Sequence, residues 1–135
     1  MSNRATRITG WTCAILAAAY SLFAAVMKFV PMPPDSDGAK IMQQLGLTTD
    51  AAHALGVVEI IIILLFLIPR TSTVGFVLMI GYMGGAFATN LTHGFTDPGT
   101  DISFVIFFAL MTLSAWGRNP ELLDRLAMKP VSVSR

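Results

Sequence analysis

Four stretches of the chain are apolar almost without interruption, and short polar segments rich in proline and glycine separate them. They cover about residues 8–30, 51–68, 73–92 and 101–116. A helix that crosses the hydrocarbon of a bilayer takes about 20 residues, so these lengths predict four spanning helices. Pro31, Pro33 and Pro34 close the first stretch, because proline cannot donate the helix hydrogen bond. Pro69-Arg70-Thr71-Ser72 links the second to the third, and Gly94-Phe95-Thr96-Asp97-Pro98-Gly99 turns the chain into the fourth. In lipid every backbone amide must be satisfied internally, which selects helices over open strands. The expected fold is all-α: an integral membrane four-helix transmembrane bundle forming a single domain over residues 1–135.

Two shorter patterns lie outside the spans. Residues 38–46 place Ile41, Met42 and Leu45 on one face, with Asp37 as the expected cap, and predict an amphipathic segment on the membrane surface or across the bundle mouth. Asn119-Pro120-Glu121 is a helix-start signal: a capping side chain, proline in the first turn and an early acid. It predicts an interfacial helix over 120–127, with Leu122, Leu123 and Leu126 towards the membrane and Arg118, Arg125 and Lys129 reaching headgroups. The first apolar stretch is longer than the h-region of a cleaved signal peptide, so it reads as a retained helix.

Composition sharpens the picture. The chain is 54% hydrophobic and 13% charged, against about 25% charged in soluble domains. The missing charge is what a lipid-facing surface requires. A net charge of +1 leaves no basic stripe for nucleic acid. The single cysteine excludes an internal thiol–disulfide pair, and with two histidines no metal site is expected. Arg4, Arg7, Arg70, Arg118, Arg125, Lys129 and Arg135 fall on one side of a four-span arrangement, and only Lys28 and Lys40 on the other. By the positive-inside bias both termini of this multi-pass arrangement are expected in the cytoplasm.

Against this background Glu59 stands out. It lies within LGVVEIIIILLFLI, where a charged side chain costs about 2.5–3.5 kcal/mol or more. Residues of this kind in spans are paired or functional. Lys28 closes the first span on a face shared with Ala14, Ala17, Ser21 and Ala24, so its ammonium either turns inward to Glu59 or snorkels to the surface. Tyr82, Asn90 and His93 follow one another at helical spacing on the third span. These groups all fall in the outer half of the membrane and predict one outward-opening polar pocket. Glu59, Lys28, His93, Asn90 and Tyr82 are its candidate ligand-binding or proton-carrying residues. The blander reading is structural: Glu59 held by Lys28, or hydrogen-bonded to Asn90 or Tyr82. Asp101 suits the start of the fourth helix, and His53 the interface. Gly81, Gly85 and Ala88 form a small-residue stripe expected to pack against another helix.

Leu-Gly-x-x-Glu at 55–59, the apolar run after it, Ile68-Pro69-Arg70-Thr71 and Gly-Tyr-x-Gly-Gly-Ala-x-Ala-Thr at 81–89 resemble the DoxX-like family of small membrane proteins. Lys28 and the Arg-Asn-Pro at 118–120 extend the resemblance over about 11–125. Family members often carry a basic residue, commonly arginine, near the positions of Asn90 and His93. The resemblance implies a four-helix bundle, but no agreed catalytic set. Its relatives include a subunit type of thiosulfate:quinone oxidoreductase and partners of redox enzymes, and more distantly assembly chaperones. Two functions are therefore expected to compete. One is a redox-linked accessory that binds a quinone or other small lipophilic ligand beside a membrane oxidoreductase. The other is a non-enzymatic scaffold or chaperone that engages a client membrane protein or a second copy in a homo-oligomer. Solute transport fits worse, because the chain lacks the inverted repeats usual in transporters.

Overall fold

The computed structural model describes residues 3–127. Lys129, Arg135 and the side chains of Leu123 and Leu126 lie outside the described residues. Six helices follow in order: α1 (Arg4–Met27), α2 (Asp37–Gln44), α3 (Thr49–Leu67), α4 (Ser72–Thr92), α5 (Pro98–Arg118) and α6 (Pro120–Leu126). No strand occurs among the described residues. Four of them, α1, α3, α4 and α5, are long and apolar enough to cross a membrane. Many large apolar side chains on them face outward, among them Phe23, Ile61, Val77 and Val105. A surface of this kind is stable against lipid, and the chain is a multi-pass membrane protein.

The helix ends follow local chemistry. α1 stops at Met27 with Lys28 as its C-cap, short of the expected 30; the amides of Lys28, Phe29 and Val30 bond three residues back in tight turns, and Pro31 biases Val30 away from the helical region. Ser36 caps α2 by accepting from the Ala39 amide, which corrects the expectation for Asp37; Asp37 is instead the first helical residue. Thr48 caps α3 in the same way through the Ala51 amide. Asp97 caps α5, with Pro98 in the first turn and Asp101 beside the helix dipole. α2 ends on Gly46 at φ 67°, a left-handed residue that glycine adopts without strain. There the Leu47 amide bonds Met42 O and the Gly46 amide bonds Gln43 O, the double closure of a Schellman turn.

The long helices run up and down in sequence. α1 packs along both α5 and α3, and α3 along α4, whereas α4 and α5 meet over a much smaller area. The seam between α4 and α5 is thus the loose side of the bundle. The core is built from Ala14, Ala17 and Ala18 of α1, Ile62, Ile63 and Phe66 of α3, Met79 and Met83 of α4, and Phe104, Phe107 and Met111 of α5.

The two ends of the bundle differ. At the end carrying the termini, a Cβ on Gly10 would lie 2.6 Å from the Gly117 Cα, so α1 and α5 touch backbone to backbone. A Cβ on Gly75 would lie 2.2 Å from the Phe66 amide nitrogen, so α4 is pressed against α3 at its first turn. Arg118 corrects the headgroup expectation: its Nη2 donates to Phe66 O at 2.8 Å, and its guanidinium lies over the Trp11 ring. It supplies the last turn of α3 with a donor that helix ends lack. The buried Asn119 amide donates to Ser72 Oγ and Thr73 Oγ1, tying the end of α5 to the start of α4. The opposite end, roofed by α2, is open.

Candidate functional site

Glu59 sits near the middle of α3, ten residues and about 15 Å from its start. Its side chain is 1% exposed and that of Lys28 is 27% exposed. The Lys28 Nζ donates to Glu59 Oε2 at 2.7 Å and to Ala24 O at 3.1 Å. The ammonium therefore turns inward rather than snorkelling. Ending α1 at Met27 allows this, since Lys28 sits one turn past Ala24 and can fold back over the last turn. Tyr82 donates to the same oxygen at 3.3 Å and approaches Leu55 O at 3.3 Å. Both donors converge on Oε2, and Oε1 is buried without a hydrogen-bond partner.

The Leu-Gly-x-x-Glu pattern acquires a physical meaning here. Leu55 offers its carbonyl to Tyr82, and Glu59 pairs with Lys28. Gly56 leaves room for the Phe29 ring, which a Cβ would approach to 2.6 Å. Phe29 also stacks on His53, 5.3 Å between centroids. The residue next to Lys28 is thus held against α3, and the lysine with it.

The ion pair borders a cleft of about 550 Å³ between α1, α3, α4 and α5, lined on the α2 side by Leu45 and Leu47. Its walls include Tyr20, Ala24, Leu55, Met83, Ala86 and Phe104, and Asn90 and Thr89 stand towards the end of α4. The structure therefore brings together Glu59, Lys28 and Tyr82, with Asn90 on the same cleft. His93 stands apart: it is exposed at the C-cap of α4, and its Nδ1 lies 2.8 Å from Thr89 O. Having turned back on its own helix end, it does not face Glu59.

The small-residue stripe is also placed differently from expectation. Gly81, Gly85 and Ala88 are exposed, and a Cβ on either glycine would meet nothing within 4 Å. No helix of this chain packs on the two glycines, although nearby Phe87 of α4 meets Phe104 of α5, 5.1 Å between ring centroids. Gly81 and Gly85 line the cleft instead. Sequence reasoning missed the Arg118–Asn119 cluster, whose only local signal was polar residues at helix ends. No metal-holding group of histidine, cysteine or acidic residues occurs among the described residues.

Chemically the cleft offers apolar walls with a charged, hydrogen-bonded floor. Lys28 uses two of its three N–H groups inside the protein, and the third is open to a guest. A model of the DoxX-like family matches residues 12–115. No curated protein and no solved structure is found to match the chain.

Proposed function

The chain belongs to the DoxX-like family, and from that premise and the geometry at Glu59 we propose that it binds a small lipophilic molecule in the cleft. The observation that carries this reading is the Lys28–Glu59–Tyr82 cluster bordering an apolar cleft of about 550 Å³. Ligand sites of about 300–1,000 Å³ with mostly apolar walls and a few convergent polar groups are the usual form of a small-molecule pocket. A quinone suits both parts. A ring carbonyl would accept from the remaining Lys28 N–H, and its hydrocarbon would lie against Tyr20, Met83 and Phe104. Quinone chemistry moves protons as well as electrons, and Glu59 is the proton-carrying group at the right depth. Electrons would come from a partner oxidoreductase, so the protein acts as a redox-linked accessory. The excess of basic residues beside the termini favours cytoplasmic termini and a cleft opening to the outer face of a bacterial inner membrane. Mass spectrometry of small molecules that co-purify in mild detergent tests the reading. A lipophile retained by the wild type and lost from Glu59→Ala is expected. Identical extracts from the two proteins would refute it.

The exposed stripe of Gly81, Gly85 and Ala88 supports a second reading, a scaffold or chaperone that docks another transmembrane helix, from a client or from a second copy. Ala88 does not line the cleft, so Ala88→Leu separates the readings. A membrane partner lost on Ala88→Leu but kept on Glu59→Gln would favour docking. Transport across the bilayer is disfavoured by the backbone-close packing at the terminal end.

A further inference from the structure

Lys28 lines two cavities, not one. Beside the cleft, a chamber of about 470 Å³ opens beneath α2, with Lys28, Gln43, Thr49 and His53 as its polar wall and no acidic residue in its lining. Leu47 is the one other residue that borders both spaces. The chamber lies beyond the last turn of α1 and at the first turn of α3, the depth at which a bilayer gives way to water. Tyr82 borders the cleft but not the chamber. Lys28 is partly exposed and Glu59 is not, so water in the chamber meets the lysine before the carboxylate. At the terminal end the Gly10–Gly117 and Gly75–Phe66 contacts bring the helices together backbone to backbone.

We propose that this chamber is the aqueous proton route to Glu59, with Lys28 as the relay between chamber water and the carboxylate. The inference rests on Glu59 being the working group of the cleft. In the inward step, the Lys28 ammonium passes one proton to Glu59 Oε2 along the 2.7 Å hydrogen bond, leaving a neutral amine and a neutral acid. The amine then takes a proton from hydronium in the chamber, and the net result is one proton moved from water to Glu59. The reverse order discharges it. The polar groups that line the two spaces beside the pair are Tyr20 from α1, Gln43 from α2, Thr49 and His53 from α3, and Tyr82, Thr89 and Asn90 from α4, while α5 contributes Phe104 and no titratable group. Tyr82 and Glu59 border the cleft alone, whereas Lys28 borders both spaces, so Lys28 and Leu47 stand between chamber and cleft.

Cysteine accessibility tests the route without requiring a ligand. In nanodiscs, a Cys13→Ala, Glu59→Cys protein is treated with a trimethylammonium-ethyl methanethiosulfonate, a fixed cation that does not enter lipid. Modification is expected, slowed about tenfold or more by Thr49→Trp, which fills the chamber and breaks its water column. Gly85→Trp, which fills the cleft, should leave the rate within about twofold. The opposite pattern, slowing by Gly85→Trp alone, would overturn the chamber route. So would an unreactive Glu59→Cys beside a reactive Gln43→Cys control. Infrared spectroscopy supplies a second measurement that leaves Glu59 in place. The carboxyl band assigned to Glu59 by its loss in Glu59→Gln should follow a pH jump about tenfold more slowly in Lys28→Met. An unchanged rate would remove Lys28 from the relay. Ligand co-purification is independent of both measurements, so failure of the route and failure of the cleft reading are distinguishable.

Discussion

Removing Lys28 leaves a carboxylate buried in a membrane helix with only Tyr82 donating to it. Truncating one partner of a fully buried ion pair costs about 3–5 kcal/mol. The Lys28 side chain keeps 27% of its exposure, and water there softens the loss, so Lys28→Ala should lower stability by about 2–3 kcal/mol. Replacing both partners, as Lys28→Met with Glu59→Leu, should regain most of it, because no uncompensated charge remains. Reversible denaturation in mixed detergent, read as a double-mutant cycle, measures both values. A double variant no more stable than Lys28→Ala would mean that the pair stabilises the fold beyond its own desolvation. At this scale the sequence was informative about Glu59, since an acid in an apolar run needs a partner and Lys28 stood on the right face. It misplaced Arg118. An arginine at the end of a span reads as a headgroup anchor, and the carbonyl it bonds belongs to Phe66, fifty-two positions away. His93 misled for a related reason. Helical spacing put it in line with Asn90, but it terminates α4, where the backbone carbonyl of Thr89 is the nearer partner.

Among the helices, glycines with similar sequence surroundings carry opposite tolerances. Gly75→Ala would drive a methyl group into the Phe66 backbone at 2.2 Å, and backbone cannot swing aside as a side-chain tip can. A loss of about 1–3 kcal/mol or more is expected from such overpacking. Gly85→Ala meets open space and should be neutral or stabilising by up to about 1 kcal/mol through helix propensity. Thermal unfolding followed by circular dichroism compares the two. The Gly-x-x-x-Gly at 81–85 looked like the packing motif in the sequence, while the glycines that admit a neighbouring backbone are Gly10, Gly75 and Gly117. Small residues signal that close approach is allowed, and only the tertiary arrangement decides where it happens. The start of α5 allows a pH test. Hydrogen bonds from the Thr100 hydroxyl, then from the Thr100 amide, hold the Asp97 carboxyl below its ordinary 3.8. A depressed carboxylate contributes stability that is complete above that ordinary value and is lost as pH falls through the lower folded one. The Thr100 amide resonance should therefore titrate with a midpoint under 3.8. In Asp97→Asn the transition should vanish.

For the whole molecule, the arrangement of spans was legible because hydrophobic length is dictated by the bilayer. The difference between the two ends was not, since it arises from which helices touch and how tightly. The terminal end is joined by Gly10 against Gly117, by Gly75 against Phe66 and by Asn119 across to Ser72. The end beneath α2 holds both cavities. Spin labels on a Cys13→Ala background should report this asymmetry. Labels at Ala88 and Ile102 are expected to give a broad α4–α5 distance distribution, and labels at Val74 and Leu113 a narrow one. Equal widths at the two ends would contradict it. The contact between Gly75 and Phe66 then has a mechanical consequence. It clamps the first turn of α4 against α3, and Met79 and Met83 in the core extend that hold along the helix. Tyr82 lies seven residues, about 10 Å, beyond the clamp, whereas Asn90 lies near the tip. A small rotation about the clamp moves the tip most and Tyr82 least. A guest of the proposed cleft would thus disturb the hydrogen bonds to Glu59 little.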